Sequence, residues 1–160
     1  MGSMQEIEFR DAKPEDINDI VELVIRLKRL NEEFDPLFKT RDDLAVHTKE
    51  YIGSALNSES SIIIVAERGG RLVGVVKADI IDRIFYEPRI EGRIRELYVL
   101  PEFRRKDLGK QLVEAVIKKL KNKVDIITAE FPTLNEIAVR FYNKLGFRSI
   151  LSTYAIEARI

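Results

Sequence analysis

Cysteine is absent from this 160-residue chain, which excludes a disulfide framework, a thiolate zinc site and a cysteine nucleophile, and fits a reducing cytoplasm. A net charge is missing as well. The 27 Lys and Arg residues stand against 27 Asp and Glu residues, so no global field draws the chain to nucleic acid or to an anionic membrane. Any basic function has to be local. No apolar run approaches the roughly 18 residues of a membrane span, and the opening residues lack a signal-peptide pattern. The expectation is a cytoplasmic protein with no membrane partner and no nucleic-acid partner. The lone histidine, His47, falls on the polar side of a helical segment and gives no support for a metal site or a histidine-based triad. Repeats, low-complexity stretches and linkers rich in Gly, Ser and Pro are missing too. With 45% hydrophobic residues, residues 1–160 are expected to form one domain around one core. Met1-Gly2-Ser3 ahead of Met4 reads as a cloning remnant outside the fold.

What is present is a succession of short periodic segments. Residues 6–10 predict a strand. Pro14, Glu15 and Asp16 followed by the stripe Ile17, Ile20, Val21, Val24 and Leu27 predict a helix packed on a sheet. A second helix over 42–56 carries Leu44, Tyr51, Ile52 and Ala55, after the break at Phe34-Asp35-Pro36. The β-branched runs 61–67 and 72–80 flank Arg68-Gly69-Gly70-Arg71, whose glycines supply the positive φ of a tight hairpin. Residues 93–100 predict a further strand, stopped by Pro101. The stripe Leu108, Leu112, Ala115, Val116 and Leu120 predicts a helix over 107–121, and 124–130 return as a strand, so the unit is a parallel crossover. A last helix opens at Thr133, with Glu136 completing a capping box, and closes at Gly146. Residues 147–160 are left to supply the final strand or strands. The fold class is α/β: a mixed, mostly antiparallel sheet with one central parallel βαβ pair, flanked by about four helices.

Chemistry concentrates in Phe103-Arg104-Arg105-Lys106-Asp107-Leu108-Gly109-Lys110. Amides at a helix N-terminus ringed by four cationic side chains suit phosphate groups. A solvated charged turn has the same composition. A Walker A loop does not fit, because Gln111 follows Gly109-Lys110 where Ser or Thr is needed. A dinucleotide fingerprint needs three glycines, and this loop has one.

Glu96-Leu97-Tyr98-Val99-Leu100-Pro101-Glu102-Phe103-Arg104-Arg105-Lys106-Asp107-Leu108-Gly109 is similar to the coenzyme A loop of the GNAT acetyltransferase superfamily. That pattern reads Arg or Gln, two residues, Gly, one residue, Gly or Ala. Arg104 and Gly109 match it, while Asp107 stands where the first glycine belongs. Asn135-Glu136-Ile137-Ala138-Val139-Arg140-Phe141-Tyr142-Asn143-Lys144-Leu145-Gly146-Phe147 resembles the family's closing helix. With the element order, the likeness covers most of the chain from about Ile7 onward, the N-terminal half in pattern only.

The resemblance implies an acetyl-CoA-dependent N-acetyltransferase acting on a primary amine of a peptide or small molecule by direct attack on the thioester, with no metal. Backbone amides of Arg104, Arg105, Lys106, Asp107, Leu108, Gly109 and Lys110 would bind the pyrophosphate, and the pantetheine arm would run beside Leu97, Tyr98 and Val99 like an added strand, where two parallel strands splay. Tyr142 would sit near the coenzyme sulfur as proton donor, or be a buried aromatic beside Phe141. A backbone amide near Val99 would polarise the thioester carbonyl. The general base is Glu130, slightly preferred, or Glu96, and each is equally readable as an acid paired with Arg93, Arg95 or Arg104. Asn135 would bind the pantetheine or a water, or be merely solvated. Asp107 would cap the helix, or else repel phosphate and strain the turn. Phe34, Phe38, Phe85 and Tyr86 are candidates for the walls of an acceptor cleft, and Asp79, Asp82 and Glu87 for attracting a cationic amine. The alternative is a catalytically degenerate acyl-CoA-binding sensor or interaction module. Both a monomer and a homodimer joined through the last strand or the β-rich face fit the sequence.

Overall fold

The structure, a computed structural model, describes residues 6–159. Met1, Gly2 and Ser3, read above as a cloning remnant, lie outside them. The β-branched runs build the sheet. Strands β1 (Glu8–Asp11), β2 (Ser61–Arg68), β3 (Arg71–Asp82), β4 (Ile90–Val99) and β5 (Ile126–Ala129) lie side by side in chain order. The first four are antiparallel neighbours, and β5 runs parallel to β4. Between β2 and β3, Gly69 and Gly70 have φ of 57° and 81°, two successive left-handed positions that side chains other than glycine resist.

Helices α1 (Ile17–Asn31) and α2 (Leu44–Leu56) cover one face, and α3 (Leu108–Leu120) covers the other. Alternation along β3 shows the division. A Cβ on Gly74 would meet Leu112 of α3 at 3.1 Å, whereas Lys77, three residues on, turns to the opposite face and the ring of Tyr51 in α2. Burial follows the predicted stripes: Ile20, Leu23 and Val24 in α1, Ile52 and Ala55 in α2, and Leu108, Leu112, Val113, Val116 and Leu120 in α3. The strand, helix, strand unit β4-α3-β5 is parallel as the sequence implies, because a helical crossover returns the chain in the same direction.

Helix α4 (Glu136–Lys144) departs from expectation at its start. Thr133 does not cap it. Asn135 does, its Oδ1 accepting the Ala138 N–H at 3.1 Å, in keeping with the stronger N-cap preference of Asn over Thr. The predicted close at Gly146 holds, with φ at 95°. The final strand expected in 147–160 does not form: residues 147–159 carry no strand, and residue 160 lies outside the described residues. A strand is defined by its pairing, and among the described residues the segment has none.

Candidate active site

Strands β4 and β5 are neighbours for only part of their length. Pairing runs from Glu91 opposite Ile126 to Ile94 opposite Ala129 and ends where the Glu130 N–H reaches the Ile94 carbonyl at 3.1 Å. Below the split, Thr128 Oγ1 donates to Glu91 and ties the two strands together. Above it, Glu96, Leu97, Tyr98 and Val99 pair with β3 on one side and with no strand on the other. Strand β4 thus presents an open backbone edge several residues long, a template for an extended ligand. At the split, the β3 register shifts between Lys77 and Ala78, leaving Arg95 in a bulge, a device that re-aims side chains at functional edges.

Strand β4 leads into a 3-10 turn over Pro101–Lys106, and Asp107 joins that turn to α3. No side chain caps α3. Its first amides, on Leu108, Gly109 and Lys110, therefore lack intrahelical acceptors and carry the positive end of the helix dipole. The capping role considered for Asp107 is not taken up; the residue instead holds φ 58° and ψ 21°, the left-handed conformation that glycine would occupy without cost. Asp is one of the few other residues that visit it, at a cost of about 1 kcal/mol. Gly109 faces α4, where a Cβ would come within 3.4 Å of the Phe141 ring. The Arg104 side chain turns back toward the sheet: Nε donates to the Val99 carbonyl at 2.9 Å, and the guanidinium lies 5.3 Å from the Tyr98 ring centroid. Lys106 stands over Phe103.

The two candidate bases differ in setting. Glu96 is only 4% exposed; it accepts from Lys28 Nζ at 2.5 Å and from the Tyr51 hydroxyl at 2.8 Å. Glu130 lies just past β5, its side chain 51% exposed and paired with Arg95 Nη1 at 2.8 Å. The two acids end a single chain of contacts. From Glu96 it passes to Tyr51, then to Lys77, whose Nζ is 4.4 Å from that ring, then to Asp79 at 2.7 Å, to Arg95 at 2.6 Å, and to Glu130. Burial pushes the Tyr51 hydroxyl well above its ordinary value, and the Glu96 charge adds to that. Burial alone would raise Asp79, but hydrogen bonds from Lys77 and Ser61 outweigh it and hold the carboxyl low. The sequence reading does not place Lys28, Tyr51 or Lys77 in the site; it gives Tyr51 only as part of the stripe of the 42–56 helix. Lys77 carried a signal, a charged residue inside the apolar run Val75-Val76-Lys77-Ala78; Lys28 and Tyr51 meet Glu96 from other helices and left none.

Tyr142 is buried in α4, stacked on Phe131 with ring centroids 5.2 Å apart and edge-on to Phe141 and Phe147. Desolvation raises its hydroxyl well above the usual tyrosine value, so it stays protonated. No hydrogen bond engages that hydroxyl among the described residues. On the face of the sheet covered by α1 and α2, an open groove of about 500 Å³ is lined by residues including His47, Glu50, Tyr51, Lys77 and Asp79. His47 is exposed and bonded to Asp43 at 2.8 Å. Among the candidate wall residues, Phe38, Phe85 and Tyr86 are exposed and Phe34 is half-buried. Asp82 is paired with Arg89, and Glu87 is exposed. No group of residues that would hold a metal ion occurs among the described residues, and no helix there is long and apolar enough to cross a membrane.

A split parallel pair beside an uncapped helix start is the geometry that the acetyltransferase resemblance implies, and comparison with known proteins agrees. The chain belongs to the Acetyltransferase (GNAT) family, whose model matches residues 25–147. An uncharacterized N-acetyltransferase of Archaeoglobus fulgidus is 31% identical over 112 residues, 70% of this chain and 72% of the relative. Another, from Methanocaldococcus jannaschii, is 27% identical over 140 residues, 87% of this chain and 59% of the relative, so the chain spans about three fifths of that protein's length. Among solved structures, a predicted acetyltransferase from Clostridium acetobutylicum with acetyl-CoA superposes with a TM-score of 0.79 at 17% identity, over 95% of this chain and 96% of that one. That likeness concerns the fold.

Proposed function

We propose that this chain transfers the acetyl group of acetyl-CoA to a primary amine of a peptide or small molecule, the amine attacking the thioester directly. The observation that carries the reading is the open β4 edge at Glu96–Val99, which the turn over Pro101–Lys106 joins to the uncapped start of α3. An extended pantetheine arm fits the first and a pyrophosphate the second. The acetyl-CoA that accompanies the Clostridium acetobutylicum protein in its crystal structure supports the same donor. The attacking nitrogen must be neutral, the carbonyl oxygen gains charge as the tetrahedral intermediate forms, and the C–S bond breaks to release a thiolate that takes a proton. An amide on the open edge near Val99 polarises the carbonyl, and the protonated Tyr142 hydroxyl donates to the departing sulfur.

For the base, burial and geometry favour Glu96 over Glu130. Glu96 lies on β4 at the start of the open edge, bonded to the hydroxyl of Tyr51, a residue that lines the groove. Each acid has one cationic partner, Lys28 for Glu96 and Arg95 for Glu130; what separates them is burial, since Glu130 is half exposed and an exposed ion pair is worth only about 0–1 kcal/mol. The chain has no cysteine, so a thiol reagent reports released CoA with no protein background. In an amine screen with acetyl-CoA, we expect Glu96→Gln to lower kcat about 100-fold with KM for acetyl-CoA unchanged, and Glu130→Gln to stay within about threefold of wild type. The reverse order would move the base to Glu130. Asp107 in place of a glycine favours one other reading, a CoA-binding sensor, which would bind acetyl-CoA and release none with any amine.

A further inference from the structure

The amine bonded to the favoured base belongs to the chain itself. Lys28 lies in the last turn of α1, and its Nζ donates to Glu96 Oε1 at 2.5 Å. A helix-to-strand ion pair is an ordinary way to close one face of a sheet and says nothing by itself about chemistry. The position of this one does. Glu96 is the carboxylate that takes a proton from an amine in the proposed reaction, and it begins the β4 edge along which the thioester would be laid. A general base has to stand within hydrogen-bond reach of the proton it removes, and Lys28 already meets that condition.

The surroundings single out this lysine. Its side chain is 35% exposed, and Glu96 is its only ion-pair partner among the described residues, so no second acid holds the amine once its proton has moved. Lys77, the other lysine at the site, is bonded to Asp79 at 2.7 Å with its side chain 3% exposed. It is enclosed, and its partner is not a candidate base. Lys110, Lys118 and Lys119 belong to α3, on the opposite face of the sheet.

We infer that Lys28 is a self-acetylation site, modified by its own chain when acetyl-CoA is bound and no acceptor amine is present; the inference rests on the acetyltransferase reading above. The Lys28 ammonium gives one proton to the Glu96 carboxylate, and the neutral Nζ attacks the thioester carbonyl carbon. The C–N bond forms and the C–S bond breaks. A second proton leaves the nitrogen and replaces the one that Tyr142 gives the departing sulfur. The products are acetylated Lys28, CoA and one proton, released as Glu96 ionises again. Held in the site, this amine reacts as a neighbour at high local concentration. Acetylation also removes the Lys28 charge, and with it the ion pair of Glu96.

Mass spectrometry with peptide mapping tests this on the full chain incubated with acetyl-CoA alone, with calorimetric titration of the same sample. The expected result is one acetyl group on Lys28, added at least about tenfold faster than on any other lysine, at a rate per chain that dilution does not change. Glu96→Gln should slow Lys28 to the rate of the surface lysines, and Lys28→Arg should leave the chain without its rapid modification. Acetyl-CoA bound with Lys28 unmodified, or with Lys77 or surface lysines modified as fast, overturns the inference and leaves the acetyltransferase reading standing. No binding and no modification overturns both. A rate per chain that falls on dilution overturns the inference, because one copy is then acting on another, as does a Glu96→Gln chain that modifies Lys28 at the wild-type rate. The wild-type results decide the matter even if Glu96→Gln fails to fold.

Discussion

Asp107 occupies the one non-glycine left-handed position among the described residues, at the point where a phosphate would approach the helix. Its carboxylate caps nothing, so its two effects on a bound pyrophosphate are backbone shape and charge. The shape is already that of glycine; the charge opposes the ligand. We therefore expect Asp107→Gly to bind acetyl-CoA about three- to tenfold more tightly by calorimetry, with stability little changed, because relief of strain is offset by the freedom glycine adds to the unfolded chain. Equal affinity would mean that the carboxylate points away from the phosphates. At this scale the sequence spoke unevenly. The sequence singles out Arg104, Gly109 and Tyr142 because their motifs are local and ordered. The partners of Glu96 were not: Lys28 lies 68 positions away and Tyr51 lies 45 away, and no local period encodes such a meeting.

Among the elements, β4 divides into a tied half and an open half. The tied half is packed closely against α3: a Cβ on Gly92 would sit 2.7 Å from Leu120 Cδ1 and 3.3 Å from Ile127 Cδ1, and Leu120 is fully buried. Gly92→Ala should cost about 1–3 kcal/mol in urea unfolding; a neutral result would show that α3 can slide on the sheet. The hairpin at Gly69-Gly70 and the stripes of α1 and α3 were readable because period and turn chemistry agree there. The start of α4 was not, since Thr133 and Asn135 both carry capping side chains and only the backbone path chooses between them. The strand expected in 147–160 shows a deeper limit. Its β-branched and aromatic residues suit a strand, but a strand also needs an edge to pair with, and composition does not supply one.

For the whole molecule, charge balance conceals strongly paired acids. Hydrogen bonds from Arg10 hold Asp16 below its ordinary value. Asp79 and Glu91 are also held low, although burial opposes it, by bonds from Lys77 and Ser61 and from Thr128 and Arg93. Carboxyls depressed in the fold contribute stability that is present above their unfolded values, 3.8 for Asp and 4.5 for Glu, and is lost as pH falls through the folded ones. The urea midpoint should therefore hold from pH 7 to about 5 and drop below pH 4; a flat profile down to pH 3 would contradict these pairings. Tyr51 and Tyr142 work in the other direction. Raised in the fold, they contribute stability that is complete below the ordinary tyrosine value of 10.0 and is lost as pH rises beyond it.

The central claim is that the open β4 edge and the uncapped start of α3 form an acetyl-CoA site. Isothermal titration of the wild-type chain with acetyl-CoA tests it most directly. One molecule bound per chain, with a dissociation constant in the micromolar range, is the result this account predicts. No heat of binding by a folded chain at millimolar acetyl-CoA would contradict it.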